Sequence, residues 1–249
     1  MRPEPSLPNN STSSANPASP TPATPPASAP VEEQLSLAAD ERPADRPPDA
    51  LQLARDSIAA GEWTAAMTTL RALISREPKN GRARAVLADL LEKKGDMEGA
   101  LAELGRAIEA IPDDVATLCA RAAIYTARGR YELAEADLRS AIRAEDRNAP
   151  VHVQLGILFC KRARWRDAIE PLRAAVERDP ELVSAHYYLG EAYNSIDDLS
   201  AALGAYEQAA RLEPTNLRAL KGIGVVLDRL GRPAEAAAAY QRARDVQRR

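Results

Sequence analysis

The sequence predicts an all-α solenoid of stacked helix pairs, and three observations carry that reading. A 34-residue frame runs without a gap from Pro47 to Arg249, giving units 47–80, 81–114, 115–148, 149–182, 183–216 and 217–249. Small side chains recur at fixed places of that frame, and glycine, proline and asparagine recur at others. A period of this length marks an array in which each unit buries its apolar face only against its neighbours.

The elements of one unit follow in order. Place 34 carries Asn80, Asp114, Asn148 and Asn216, whose side chains can accept backbone N–H bonds and start the first helix, A, of the next unit. Within helix A, place 7 reads Leu53, Leu87, Arg121, Leu155, Leu189 and Ile223, and place 11 reads Ser57, Leu91, Tyr125, Phe159, Tyr193 and Leu227. Between them, place 8 is always Ala or Gly. Spacings of three, four and seven put these residues on one helical stripe. Gly61, Gly95, Gly129 and Gly231 at place 15 end helix A, where a positive φ is easiest. The second helix, B, has alanine at place 20 in all six units, a large residue at place 24 (Leu70, Leu104, Leu138, Leu172, Tyr206, Tyr240) and a mostly small one at place 27. Small residues at such places let two helix axes approach, and overpacking them costs about 1–3 kcal/mol. Pro78, Pro112, Pro180 and Pro214 at place 32 stop helix B.

This set of places resembles the tetratricopeptide repeat (TPR) family. The nearest single unit is Tyr187-Tyr188-Leu189-Gly190 with Tyr193, Ala202, Tyr206, Ala209 and Pro214. The resemblance implies a right-handed superhelix that binds a peptide or protein in its concave face. The chain departs from the pattern at several points. Ala163 and Asp197 replace the turn glycine, and Asp146 and Arg248 replace the stop proline. Pro171 inside a B helix predicts a local kink. Arg121 replaces a core leucine, with its stem expected on apolar surface and its head in water.

In the family, places 2, 5, 9 and 12 of each A helix line the groove. Carried over, the groove is expected to include Arg55, Asp89, Cys119, Ala123, Val153, Ile157, Tyr187, Glu191, Asn194 and Lys221. Its middle, from Cys119 through Ile157 to Tyr187, is apolar or small and its ends are charged, which suits a docked peptide or helix with Tyr187 as anchor. The resemblance also allows one subclass to be set aside. A two-carboxylate clamp for Hsp70/Hsp90-type C-terminal tails needs Lys and Asn at places 5 and 9 of one unit, where repeat 1 has Leu51 and Arg55.

Residues 1–46 form a separate segment. Of the first thirty residues, nine are proline and nine serine or threonine, a composition that cannot bury enough apolar surface to offset ordering entropy. This predicts a disordered tail acting as a tether or solubilising arm, with a proline-rich ligand for another domain as the alternative. Val31 to Asp40 could add one short amphipathic helix capping repeat 1. The tail holds three basic and six acidic groups, so the formal net charge of −3 resides there and the array is neutral. No basic stripe for phosphate is present, and nucleic acid is not an expected partner. Neither a run of about twenty apolar residues nor an apolar leader is visible, so the expected location is the cytoplasm, with no membrane partner.

No phosphate loop or nucleophile elbow appears, and the chain is expected not to be an enzyme and to need no cofactor. Cys119 and Cys160 lie at places 5 and 12 of adjacent A helices. A seven-residue offset is about 10 Å along the axis, beyond the roughly 4.4–6.8 Å that a disulfide spans. His152 and His186 share place 4 of adjacent repeats and read as packing residues rather than metal ligands, since zinc wants three or four donors. The last B helix, from Ala234, would leave Ala236, Ala239, Tyr240 and Ala243 uncovered. The function expected is therefore a scaffold binding a protein segment in the groove, the alternative being an oligomerisation module acting through the array's open edges.

Overall fold

The computed structural model describes residues 49–248, over which twelve α-helices alternate as A and B. The A helices are α1 (Ala50–Ala59), α3 (Gly81–Lys93), α5 (Val115–Ala127), α7 (Ala149–Lys161), α9 (Val183–Ser195) and α11 (Leu217–Arg229). The B helices are α2 (Trp63–Arg76), α4 (Met97–Ala110), α6 (Tyr131–Ala144), α8 (Trp165–Arg178), α10 (Leu199–Leu212) and α12 (Pro233–Gln247). The expected tail at 1–46 and the short helix at Val31–Asp40 lie outside the described residues. From repeat 2 onward every A helix begins at place 1 and every B helix at place 17, so the frame sets the register of the whole array.

The helix starts follow from side-chain chemistry. Asn80, Asp114 and Asn216 accept from the backbone N–H of Ala83, Thr117 and Ala219 at 2.9, 3.1 and 3.0 Å. Asn148 does not cap α7. Pro150 occupies the first turn there, although the Asn148 amide donates to Glu145 at 3.0 Å just as Asn80 and Asn216 donate to Glu77 and Glu213. Asp96 and Asp198 cap the B helices α4 and α10 in the same manner. At place 15 the four glycines take φ between +71° and +84°. Ala163 (+53°) and Asp197 (+70°) adopt the same left-handed conformation without being glycine. The repeat geometry therefore overrides local preference at two of six turns.

Helix A of each repeat packs on helix B of the same repeat through the small places, all six alanines at place 20 being buried. Leu53 is the exception among the place 7 aliphatics, at 47% exposure. Arg121 keeps about a fifth of its side chain exposed, but its head is not simply solvated. Its guanidinium forms a two-pronged pair with the buried carboxylate of Asp137 on α6, leaving the core polar at that point. α8 continues through Pro171 as one helix to Arg178. The terminal face expected to be open is in fact turned inward: Ala236, Ala239 and Ala243 are buried against α11, and Tyr240 is half-buried. The outward places on α12 that correspond to Leu101 and Ile108 of repeat 2 carry Ala237 and Arg244, a more polar ending.

Adjacent A helices α5, α7, α9 and α11 touch one another, and no comparable contact joins adjacent B helices. The stack therefore curves toward its A helices. Three junctions between repeats carry a further tie from place 4 to the carbonyl at place 32. Arg84 Nε and Nη2 donate to the Pro78 carbonyl at 3.1 and 2.8 Å, and the Nε2 atoms of His152 and His186 lie 2.9 Å from the carbonyls of Asp146 and Pro180. A carbonyl only accepts, so both imidazoles carry their proton on Nε2. The histidine pair is thus a structural fastening in each loop.

Candidate functional site

The expected groove residues fall on the A-helix face, but their exposure is uneven. Arg55, Asp89, Ala123 and Lys221 are exposed, and Cys119, Ile157, Glu191 and Asn194 are half-buried. Val153 and Tyr187 are buried, at 6% and 8% exposure, and do not form the open apolar stripe that the sequence suggested. Several charges are already engaged within the array. Asp89 pairs with Lys93 one turn on at 2.8 Å, and Asn194 accepts from Arg229.

Tyr187 is covered rather than presented. Its ring stands 5.1 Å from that of Tyr188 and 5.8 Å from that of Tyr206, with the Arg218 guanidinium 4.2 Å above its centroid. Such a cation over an aromatic face is attracted by the ring's quadrupole. Beneath it, the Tyr206 hydroxyl donates to the Glu191 carboxylate. Burial, and then the Glu191 charge, hold the Tyr187 phenol above its usual range, opposed by Arg218. Tyr206 is pushed up further, by burial and by its bond to Glu191. The Tyr206 phenol stays protonated and serves as a donor.

The opening on this face lies one repeat earlier. Small residues on α5, namely Ala122, Ala123 and Thr126, leave a hollow of about 170 Å³ closed on the α7 side by Gln154, Ile157 and Lys161, with Leu138 at its floor. Of the expected residues, Ala123 and Ile157 meet here. Gln154 and Lys161 lie at places 6 and 13, outside the places carried over, although the same 3–4 spacing could have found them. The Gln154 amide makes no hydrogen bond among the described residues.

The cysteines are both free. Burial, and then the nearby Asp137 and Asp114 charges, raise the Cys119 thiol to about 11; burial, and then Glu191, raise Cys160 to about 12. Neither carries the lowered pKa of a reactive thiolate. Sequence reasoning also missed Glu135, a buried carboxylate on α6 held by Arg139 at 2.7 Å, Arg162 at 3.2 Å and Arg164 at 3.3 Å. Two of those arginines come from the following repeat. Among the described residues no group of three His, Cys, Asp or Glu side chains is placed to hold a metal ion, and no helix is long and apolar enough to cross a membrane.

Comparison with known proteins follows the same geometry. Family models described as tetratricopeptide repeat match residues 57–122, 153–203 and 196–248. No curated relative matches the sequence. Among solved structures, MamA is 25% identical, with a TM-score of 0.62 over 65% of this chain and 95% of its own. YrrB, described as a TPR protein with an unusual peptide-binding site, is 21% identical, with a TM-score of 0.61 over 72% of this chain and 92% of its own. PilF of Pseudomonas aeruginosa is 18% identical, with a TM-score of 0.67 over 76% of this chain and 86% of its own.

Proposed function

Because this chain belongs to the tetratricopeptide repeat family, whose members generally mediate protein–protein interaction, we propose that it is a non-catalytic adaptor holding a protein segment along its A-helix face. The segment would be centred on the hollow between α5 and α7. The observation that carries this reading is that hollow itself. It has room for a single apolar side chain, with exposed Ala123, half-buried Ile157 and the unpaired Gln154 amide around it. An apolar pocket beside a free amide suits an extended segment that buries one side chain and bonds through its main chain. The peptide-binding site ascribed to YrrB is in keeping with this use of the fold. Cys119, Glu191, Asn194 and Lys221 would flank the segment as it runs toward repeat 6, while Val153 and Tyr187 shape the floor from below. Arg55 and Asp89 would border the opposite end.

The ending of α12 favours this reading over assembly through the C-terminal edge, since Ala237 and Arg244 offer little apolar area to a second copy. The test uses displayed random peptides selected on the full chain, with binding then measured on Ala123→Arg and Ile157→Glu. Both should weaken the selected peptides by about tenfold or more while leaving the helical spectrum unchanged. Peptides that bind both variants as they bind the parent chain would remove the hollow from the reading. Tyr187→Glu is not a suitable probe, because a buried carboxylate there would disturb the fold itself.

A further inference from the structure

A second set of departures from the repeat frame converges on the turn edge between repeats 4 and 5, away from the A-helix face. At three other turns on that edge, 2–3, 3–4 and 5–6, neighbouring repeats are tied by ion pairs, while at the 1–2 turn Lys94 faces Met67 instead. Arg128 at place 14 of repeat 3 pairs with Glu98 at place 18 of repeat 2, and Arg162 pairs with Glu132 in the same places one repeat on, at 2.9 Å. At the 5–6 turn, Arg229 binds Asp197 at 2.6 Å. At the 4–5 turn, place 14 is Ile196 and place 18 is Arg166, so an aliphatic side chain and a second cation stand where the paired charges would be. The two turns bordering this point are those with Ala163 and Asp197 in the left-handed conformation. Non-glycine residues held in that region concentrate at functional sites.

The result is a surface hollow of about 510 Å³ with half-buried Trp165 and Ile196 in its wall. Its charges can be accounted for one by one. Asp167 is held by Arg164 at 2.7 Å, and Asp197 is held by Arg229. Arg164 is further shared with Glu135 and lies over the Phe159 ring. Arg166 alone is exposed with no carboxylate among the described residues. A guanidinium with all its donors free suits an oxyanion, and the indole and aliphatic side chain beside it favour a carboxylate that has an apolar neighbour.

We propose that the turn edge of repeats 4 and 5 is a second docking surface, which takes an acidic side chain of a partner protein on Arg166 and a neighbouring apolar side chain in the Trp165–Ile196 hollow. It is independent of the A-helix face, so the chain would hold two protein segments at once and bring them together. The partner supplies the carboxylate that the frame places at position 18 in repeats 2 and 3.

Displayed random peptides selected on the full chain provide the probe, scored against Arg166→Gln, Arg166→Glu and Ile157→Glu. The expected result is a class of peptides carrying Asp or Glu beside Leu, Ile or Phe. Their binding falls by about tenfold in Arg166→Glu and less in Arg166→Gln, is unaffected by Ile157→Glu, and is lost when the peptide's acid is replaced by its amide. Arg166 is exposed and bonded to nothing, so both of its variants should melt as the parent chain does. If every selected class is indifferent to Arg166→Glu, or the sensitive class is lost equally in Ile157→Glu, the second surface does not exist. A sensitive class without an acidic residue overturns it as well.

Discussion

A Cβ placed on Gly190 would stand 2.5 Å from Cδ1 of Tyr206, whose ring is wholly buried. The two residues occupy places 8 and 24 of repeat 5, and the same pair in repeat 6 is Gly224 and Tyr240. In repeats 1 to 3 the pair is alanine with leucine: Ala54 with Leu70, Ala88 with Leu104, Ala122 with Leu138. In five of the six repeats the helix A–helix B contact thus divides its space in one of two ways; repeat 4, with Gly156 opposite Leu172, is packed more closely, and a Cβ on Gly156 would run into Leu172 Cγ. Gly190→Ala should cost about 1–3 kcal/mol. Adding Tyr206→Leu, which recreates the alanine–leucine form, should recover the steric part of that loss, so the two changes will be non-additive in urea unfolding. Additive losses would mean that the ring is not what excludes the methyl.

The Arg121–Asp137 pair makes a prediction about a polar core. The Nε–Oδ2 and Nη2–Oδ1 distances are 2.8 and 2.7 Å, and the bonding to Asp137 raises the arginine's pKa above its ordinary value. Arg121→Leu restores the usual residue at place 7 but leaves Asp137 buried and unpaired, and should destabilise by about 3 kcal/mol. The double change Arg121→Leu with Asp137→Ala should return to within about 1 kcal/mol of the parent. Equal stability of the single and double variants would show that Asp137 finds water when released.

The two strained turns should respond to glycine. Ala163→Gly should raise stability by about 1 kcal/mol, and Gly95→Ala, at the same place of repeat 2, should lower it by a similar amount. Thermal melting of the two variants decides the matter; melting shifts of the same sign would contradict it.

Stability should also fall at high pH through the thiols. Cys119 and Cys160 titrate in the fold at about 11 and about 12, above the roughly 8.5 of a free cysteine. The folded chain therefore holds these protons more tightly than the unfolded chain. Their contribution is complete below the unfolded value and is lost as pH rises through the folded values. Between about pH 8 and about pH 10.5 the melting temperature of the parent should drop more than that of the Cys119→Ala, Cys160→Ala variant. Equal drops would remove the thiols as a cause.

Much of the architecture was legible because it rests on contacts inside one repeat. Ala100, Gly95 and Asn80 each report a local requirement: close axes, a left-handed turn, an unpaired backbone N–H. The site was harder to read because exposure depends on what the next repeat lays down. Tyr187 sits at a groove place, yet Arg218, thirty-one residues later, covers it. Asp137 reads as a surface charge until Arg121 is set opposite. Arg166 is different. Its partnerless state could have been found by comparing places 14 and 18 with those of the two preceding repeats, where Glu98 and Glu132 stand opposite an arginine.

The place 4 fastenings have a mechanical consequence. They join repeat 1 to 2, 3 to 4, and 4 to 5, whereas Leu118 and Leu220 stand at that place in repeats 3 and 6 and offer the preceding loop no donor. The apolar core divides along similar lines, into clusters spanning mainly repeats 1–2, 3–5 and 5–6. Pulled from its ends, the array should yield first beside Leu118, since the junction beside Leu220 is held by Arg218 over Tyr187 and by Arg229 on Asn194 and Asp197. The hollow between Ala123 and Ile157 lies beyond that joint, so repeats 1 and 2 could swing around a bound segment while the cradle beneath it keeps its shape.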